Sequence, residues 1–595
     1  MPSSGRGANR FAPLLCAGGA GVLLCSAGNA FARATVGPAM VLYIAGLLLI
    51  GLPIFLRLLG PDASAGERLA LACLLGVSLY LVKVVRDAPS FTFSDELVHA
   101  FNLRQIQSHG ELFRENSVLP VTPFYPGLEG AASALTSICG LSAYSAAVIL
   151  VGVARLALVG GLFLLFERVG GSARSAGVAV AIYATNFNFL FWGAQFSYES
   201  LALPLLAVTL LALRERELAS PPQLRQWAPP LIVAILAIVV THHITSYVLL
   251  AVLVALTAAL WYLRRSWGPP SPWPFAVLTA LLVAAWLAFV AGETVSYLSK
   301  PLSEAFDAIG RTIAGESPPR GLFQGSADTG PTPLGARIVS LLGVLLLAVA
   351  VPFGLVRVWR RQRRDPFALL FIVAALGVFV ALALRLAPAA WETGNRAGEF
   401  LFIGLAFVAA AAVARLRWPT PRTAPLLLTA GFGVLLVGGA ISGWPWDMQL
   451  ARPLRVEAAG RTISAPPLAA AEWARQSVPG GRFVAPNADA NLLLVPGDKW
   501  VLSGSIPSVK QLLEDPDLAA WQLRILRENE VRYVVADRRR VASDGLRGYY
   551  FPLDDAGRAG RLLPPGAVEK YARLPGAARI YSNGSISVYD LRGRR

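Results

Sequence analysis

Charged side chains are scarce in this chain: they make up 15% of its 595 residues, against about 25% in an ordinary soluble domain. A protein of this length with so little charge is not a soluble globule. Cysteine is equally thin. Cys16, Cys25, Cys73 and Cys139 are the only four, and all fall in apolar segments, which rules out a disulfide framework for the polar part of the chain. There is no P-loop, no dinucleotide-binding glycine pattern and no zinc-ligand cluster, so nothing points to a nucleotide hydrolase, a nicotinamide enzyme or a zinc fold. No internal repeat stands out either.

What the chain has is apolar length. Hydrophobic residues reach 55%, mean hydropathy is +0.55, and apolar runs of about twenty residues, the length needed to cross a bilayer, recur along the sequence. The spans predicted are 11–31, 38–59, 67–85, 143–166, 176–195, 198–213, 229–244, 246–263, 274–292, 335–357, 366–387, 398–414 and 424–443, about thirteen in all. Residues 128–141 are apolar but short, which predicts a helix at or dipping into the interface. The first stretch follows Arg6 and Arg10 as a signal peptide would, yet a second span comes almost at once, favouring a retained helix.

The net charge of +17 is a topology signal. One alternate set of loops holds Arg57 and Arg68, Arg168 and Arg174, Arg214, Arg216 and Arg225, Arg264 and Arg265, "RVWRRQRRD" and "RLRWPTPR", which places that set in the cytoplasm. No nucleic-acid partner is needed to explain it. The opposite set faces outward and carries the unusual polar groups: "FSDELVH", "QFSYES", "VTHHITSY", Glu293 and "WETGNRAGEF". All four histidines, His99, His109, His242 and His243, fall on this side.

From about residue 450 the composition turns polar and no further run approaches the length of a span. "GGRFVAPN" and "VRYVVAD" read as buried strands, "DPDLAAWQLRILRENE" as a helix opened by Asp515 and Pro516, and "ARIYSNGSISVYDL" as a hairpin turning at Asn583 and Gly584. The fold class expected is therefore a polytopic all-α membrane domain over 1–446, with outward loops 86–142 and 293–334, followed by a small soluble α/β domain over 447–595. An odd number of spans puts that domain outside if the amino terminus is inside.

The segment "FTFSDELVHAFNLRQI" concentrates acid, histidine and amide groups. As a helix it sets Asp95, His99 and Asn102 on one face and Phe93, Leu97 and Phe101 on another. It predicts an interfacial amphipathic helix presenting a carboxylate. Ser94 is a candidate cap, with Asp95 and Glu96 favoured in the first turn.

An acidic pair in the first large outward loop, followed some twenty-five residues later by "PVTPFYPGLEG", resembles the polyprenyl-phosphate-dependent glycosyltransferases of the GT-C superfamily. Protein O-mannosyltransferases, aminoarabinose transferases and arabinofuranosyltransferases are members. The resemblance spans roughly residues 35–445. It implies a sugar donor carried on a polyprenyl phosphate, transfer on the outer face of a bacterial cytoplasmic membrane with inversion at the anomeric carbon, and Asp95 as catalytic base with Glu96 beside it. A glycan, a lipid or a protein would be the acceptor.

The residues suit that chemistry, which needs a base for the acceptor hydroxyl and cationic or hydrogen-bonding groups for the departing phosphate. Arg396 opens a span whose amino end points outward, where a phosphate is favoured; the plainer alternative pairs it with Glu399 or Glu392. His242, His243 and His99 are candidates for substrate contact, Tyr198 and Glu199 for lining the sugar or acceptor pocket, and Tyr125 for touching a sugar, although "PFYPGLEG" reads first as a turn-forming segment. Asp95, Glu96 and the nearby histidines could share one divalent metal, though no spacing requires it. The Gly-, Pro- and Ser-rich stretch 293–333 would suit a lid over the donor. A transporter or lipid flippase would need polar residues in mid-span, and only Asn186 and Asn188 meet that description. A non-catalytic envelope scaffold is the third reading.

Overall fold

The computed structural model describes residues 5–34, 37–87, 90–186, 188–265, 267–314, 316, 323, 332–387, 390–413, 423–443, 450, 465–503, 506–542 and 562–592. The chain is a helical membrane domain followed by a small α/β domain. The helices are α1 (Gly5–Arg33), α2 (Ala39–Leu59), α3 (Ala65–Asp87), α4 (Ser94–His109), α5 (Gly127–Cys139), α6 (Ala143–Gly170), α7 (Ala173–Tyr183) and α8 (Glu199–Leu218). They continue as α9 (Ala228–Thr241), α10 (His243–Arg264), α11 (Trp273–Phe289), α12 (Glu293–Ile313), α13 (Leu334–Gln362), α14 (Pro366–Leu384), α15 (Trp391–Val413) and α16 (Thr423–Gly443).

Ten of the described helices are long and apolar enough to cross a membrane, or up to eleven if α11 and the start of α12, bent by 100° at their junction, make one broken span. About thirteen were expected, and the differences have physical causes. The predicted span 176–195 contains only α7, eleven residues long and so about 16 Å; after Tyr183 the backbone leaves the helix and threads the bundle interior. Irregular backbone is tolerated there because its polar groups find local partners, such as Gly193 N on Asn188 O at 2.9 Å and Asn188 N on Asn186 Oδ1 at 3.0 Å. The predicted span 198–213 is α8, twenty residues long but begun by Glu199 and ended by an Arg-Glu-Arg-Glu run. The predicted loop 293–334 begins with the helix α12; most of its glycine- and proline-rich remainder lies outside the described residues.

Where helices cross closely, small residues face each other. A Cβ added to Gly46 of α2 would stand 2.5 Å from Gly21 O and 2.6 Å from Cys25 Sγ of α1, so this contact tolerates only glycine. Basic residues gather at one end of the bundle, where Arg168 pairs with Glu215 and Arg214 with Asp365 and Glu217. The opposite end, about 42 Å away along the 28 residues of α6, carries α4, α5 and the α/β domain.

That domain is built on a five-stranded sheet of β1 (Arg482–Ala485), β2 (Val501–Ser503), β3 (Val531–Asp537), β4 (Ala578–Ser582) and β5 (Ile586–Asp590). The order is β2-β1-β3-β5-β4, parallel through β1, β2 and β3 and antiparallel at β5 and β4. The two expected strands and the hairpin at Asn583–Gly584 are present, with Gly584 at φ +87°. The expected helix starts later than Asp515, at Ala520, in a helix α20 (Ala520–Glu528) whose backbone at Ala519 is held by Gln522 Oε1 at 2.9 Å. Both faces of the sheet are covered. α19 (Pro507–Glu514) and α20 pack against one, through Val484, Val534 and Tyr589. α17 (Ala465–Ser477) and α18 (Asn487–Leu494) cover the other, through Phe483, Val535 and Val588.

α4 joins that second layer. Its Leu97, Ala100 and Phe101 belong to the same apolar core as Phe483, Leu493 and Val588, while its other side meets the membrane helices. Residues Glu96 to Leu103 are buried without a break. The interfacial amphipathic helix expected here is instead a wedge between two domains.

Candidate active site

The first turn of α4 is fixed from three directions. Glu96 accepts from the backbone N–H groups of Thr92 (3.3 Å), Phe93 (3.5 Å) and Phe196 (3.2 Å) and pairs with Lys83. Its oxygens are thereby taken up, which corrects the expectation that it stands beside Asp95 as a second catalytic or metal-binding acid. Ser94 is not the cap; Phe93 occupies that position, and the Ser94 hydroxyl accepts from Asn491 Nδ2 of the α/β domain at 3.2 Å. Asp95, between them, is half-buried.

One turn on, His99 Nδ1 meets Glu129 Oε1 at 2.6 Å, both side chains almost fully enclosed. Asn102 Nδ2 donates to Thr122 Oγ1 (3.0 Å) and Glu129 Oε1 (3.3 Å), and Asn102 Oδ1 accepts from Asn116 Nδ2 at 2.8 Å. Glu129, the acid of "PGLEG", is thus the partner that orients His99. Sequence reasoning gave that segment a turn-forming role and missed the acid; the i, i+4 and i+7 placement of Asp95, His99 and Asn102 was the available sign that something must face them.

From His99 a chain of rings leads into the bundle. The His99 ring stands edge-on to Tyr198 at 4.6 Å, Tyr198 stacks on His242 at 4.4 Å, and His242 contacts His243 at 5.0 Å. Tyr125 lies 5.1 Å from His243 and hydrogen-bonds Thr294 at 3.1 Å. The helix break between α9 and α10 supplies the adjacent histidines: His242 is the extended residue between them, and its Nδ1 contacts Thr245 Oγ1 at 2.8 Å. His242 Nε2, His243 Nδ1, Glu199 Oε1 and both polar atoms of the buried Gln195 have no hydrogen-bond partner among the described residues. Buried polar atoms left this way fit a ligand rich in hydroxyl groups, or water in its absence.

Arg396, on α15, completes the recess. Its guanidinium lies 3.8 Å from Glu199 Oε2 of α8; the Glu392 side chain, one of the two acids its own helix offers, lies outside the described residues. Tyr198, which precedes Glu199 on the chain and contacts His99 and His242, links the ring chain to Arg396. Asp95, His99, Tyr125, Tyr198, Glu199, His242, His243, Arg396 and Glu399 therefore belong to one neighbourhood. His109, at the far end of α4, is exposed and bonds only Gln105 O at 3.2 Å. Among the described residues no three His, Cys, Asp or Glu side chains converge to hold a metal ion.

The structure also exposes a residue that sequence reasoning passed over. Arg155 sits near the midpoint of α6 and is buried; it donates to Gly193 O and lies 4.1 Å over the Phe189 ring. An ionisable group in mid-span marks function unless shown otherwise.

No known family pattern matches the sequence, and no curated protein matches it. Solved structures do. The arabinofuranosyltransferase AftD from Mycobacteria superposes with a TM-score of 0.51 at 18% identity, over 89% of this chain and 42% of that one. ArnT from Cupriavidus metallidurans, bound to undecaprenyl phosphate, gives 0.51 at 12% identity over 89% of this chain and 98% of that one. The fold is the GT-C glycosyltransferase fold. The present chain spans under half the length of AftD but nearly all of ArnT, and at such identities the likeness concerns the GT-C fold alone.

Proposed function

We propose that the protein is a multi-pass membrane glycosyltransferase that moves a sugar from a polyprenyl-phosphate donor to a glycan, lipid or protein acceptor on the outer face of a bacterial cytoplasmic membrane. The observation that carries this reading is the run of contacts from the helix of Asp95 to Arg396, about 300 residues apart in sequence: His99, one turn after Asp95, stands edge-on to Tyr198 at 4.6 Å, and Glu199, the next residue, lies 3.8 Å from Arg396. Asp95 takes the proton from the acceptor hydroxyl as that oxygen bonds to the anomeric carbon from one side. The bond from that carbon to the phosphate oxygen breaks on the other, inverting the centre, and Arg396 faces the charge that develops on the phosphate. His242, His243, Gln195 and Glu199 offer unpaired polar atoms to sugar hydroxyls, and Tyr198 and Tyr125 offer ring faces. ArnT, whose fold is similar, is bound to undecaprenyl phosphate, which supports the donor class. The basic residues at the far end of the bundle favour the orientation.

The test is reconstitution of the purified protein with a panel of polyprenyl-phosphate sugars, comparing it with Asp95→Asn. Loss of a general base should cost about 10²–10⁴-fold in turnover. Full retention by the variant rejects Asp95 as the base, and no transfer from any donor moves the weight to a transporter or scaffold.

A further inference from the structure

At the basic end of the bundle, away from Asp95, helices α6, α7, α13 and α15 leave a cleft of ≈ 480 Å³, counting the space open to solvent. The last turns of α13 line it with Arg357 and Arg361, the first turn of α7 contributes Ser175, and α15 contributes the apolar Phe407 and Ala411. Gln362 Nε2 donates to Val169 O at 2.6 Å, which ties α13 to the end of α6 and fixes one side of the cleft.

The charge here is one-sided. Two guanidinium groups four residues apart on one helix face repel each other. Three acids at this end are already engaged, Glu215 by Arg168 and both Glu217 and Asp365 by Arg214. Among the described residues no carboxylate lines the cleft, and Arg361 has no hydrogen bond or ion pair. The start of α7 adds the positive end of a helix dipole. An anion held between the arginines removes the conflict.

The depth of the cleft says how that anion arrives. α13 has 29 residues, about 43 Å, against a hydrocarbon core of roughly 30 Å. Val349, Phe353 and Val356 are exposed on its outer face, as is Trp359, which falls between the two arginines in sequence. A tryptophan followed by a basic run marks the headgroup layer. We propose that the cleft binds the headgroup of an anionic phospholipid, with Arg357 and Arg361 gripping the phosphate oxygens. Phe407 and Ala411 meet the apolar part of the lipid next to its headgroup. The basic loops assign this site to the cytoplasmic leaflet. It lies about 22 Å along α15 from Arg396, counted to Ala411, and does not rest on the glycosyltransferase reading.

The test weighs the full-length protein by native mass spectrometry in micelles of detergent with equal amounts of phosphatidylglycerol and phosphatidylcholine. Wild type should retain phosphatidylglycerol about tenfold over phosphatidylcholine. The double variant Arg357→Gln/Arg361→Gln should lose that preference. Arg360→Gln/Arg363→Gln removes the same charge from exposed positions outside the cleft and should keep it. Inorganic phosphate in excess, with ionic strength matched by chloride, should leave the lipid bound. Should the first double variant fail to fold, Arg361→Gln, a single change at an exposed position, should still cut the preference and decides alone. A wild type without preference, a preference that survives the loss of Arg357 and Arg361, or equal loss in both double variants would overturn the site. Displacement by inorganic phosphate would assign the cleft to a soluble phosphate and overturn the lipid.

Discussion

At the scale of residues, the side chains of α4 divide the labour. Asp95 stands half-buried in the first turn, Glu96 ties down the helix start, and His99 and Asn102 share Glu129. The Glu129 carboxylate is almost fully enclosed and receives both His99 and Asn102. Replacing it by Ala leaves two buried polar groups without that acceptor, at about 1–3 kcal/mol each. Glu129→Ala should therefore melt several degrees lower in detergent and lose transfer, because Tyr198 loses the fixed edge of His99, whereas Glu129→Gln keeps an acceptor and should fall between it and wild type. A melting curve with a parallel transfer assay checks this. Asp95, His99 and Asn102 were legible as one helical face, since spacing alone reports periodicity. Glu129 was not, because its role is set by a contact with His99 thirty residues away on another helix, and the same holds for the contact of Arg396 with Glu199 of α8. Arg155 was hidden by its surroundings: inside a strongly apolar span one arginine does not disturb the hydropathy that announces the helix.

At the scale of elements, most long spans follow from apolar length, and the exceptions show what length cannot report. α7 stops after eleven residues although the sequence stays apolar, because the turn through Asn186 and Asn188 is stabilised by partners elsewhere, including Asn188 Nδ2 on Asn395 O at 3.1 Å. The strands and hairpin of the α/β domain were legible because each buries an alternating or continuous apolar run. The docking of α4 was not, since its Leu97, Ala100 and Phe101 face could equally have met lipid. Two outcomes belong here. Phe101→Ala removes a buried ring from the shared core and should cost about 3–5 kcal/mol, seen as faster proteolysis of the α/β domain. In the 3₁₀ turn after the short helix Pro565–Glu569, burial pulls the Lys570 ammonium down from 10.5 to about 8, while it donates to the carbonyls of Leu512, at 2.6 Å, and Asp515. Below pH 8 both folded and unfolded chains hold this proton. Between about 8 and 10.5 the unfolded chain holds it and the folded one has released it, so stability should rise with pH across that window and level off above it. Lys570→Met should remove this rise in a pH series of chemical denaturation, and an unchanged slope would place its origin elsewhere.

At the scale of the whole molecule, the α/β domain packs on the helix that carries Asp95. It grips α4 through Asn491 on Ser94, through Arg104 on the Val495 carbonyl and through the common apolar core, and it holds the chain beyond α4 through Trp500 Nε1 on Glu115 (3.0 Å) and Val501 N on Ser117 (3.1 Å). Every one of these contacts falls on the segment that carries Asp95 or leads from it to Glu129. A helix of sixteen residues is marginal in water by itself, and with its Leu97 and Phe101 face uncovered it has little to hold it against the bundle. Ending the chain after residue 450 should therefore leave the membrane helices inserted and the ring stack of Tyr198, His242 and His243 intact, yet abolish transfer because Asp95 is no longer fixed. Binding of undecaprenyl phosphate, which in the proposed function engages Arg396, should survive the truncation. Transfer that persists in the shortened protein would show that the bundle alone sets the base, and loss of lipid binding together with transfer would show that the domain supports the recess as a whole and not α4 in particular.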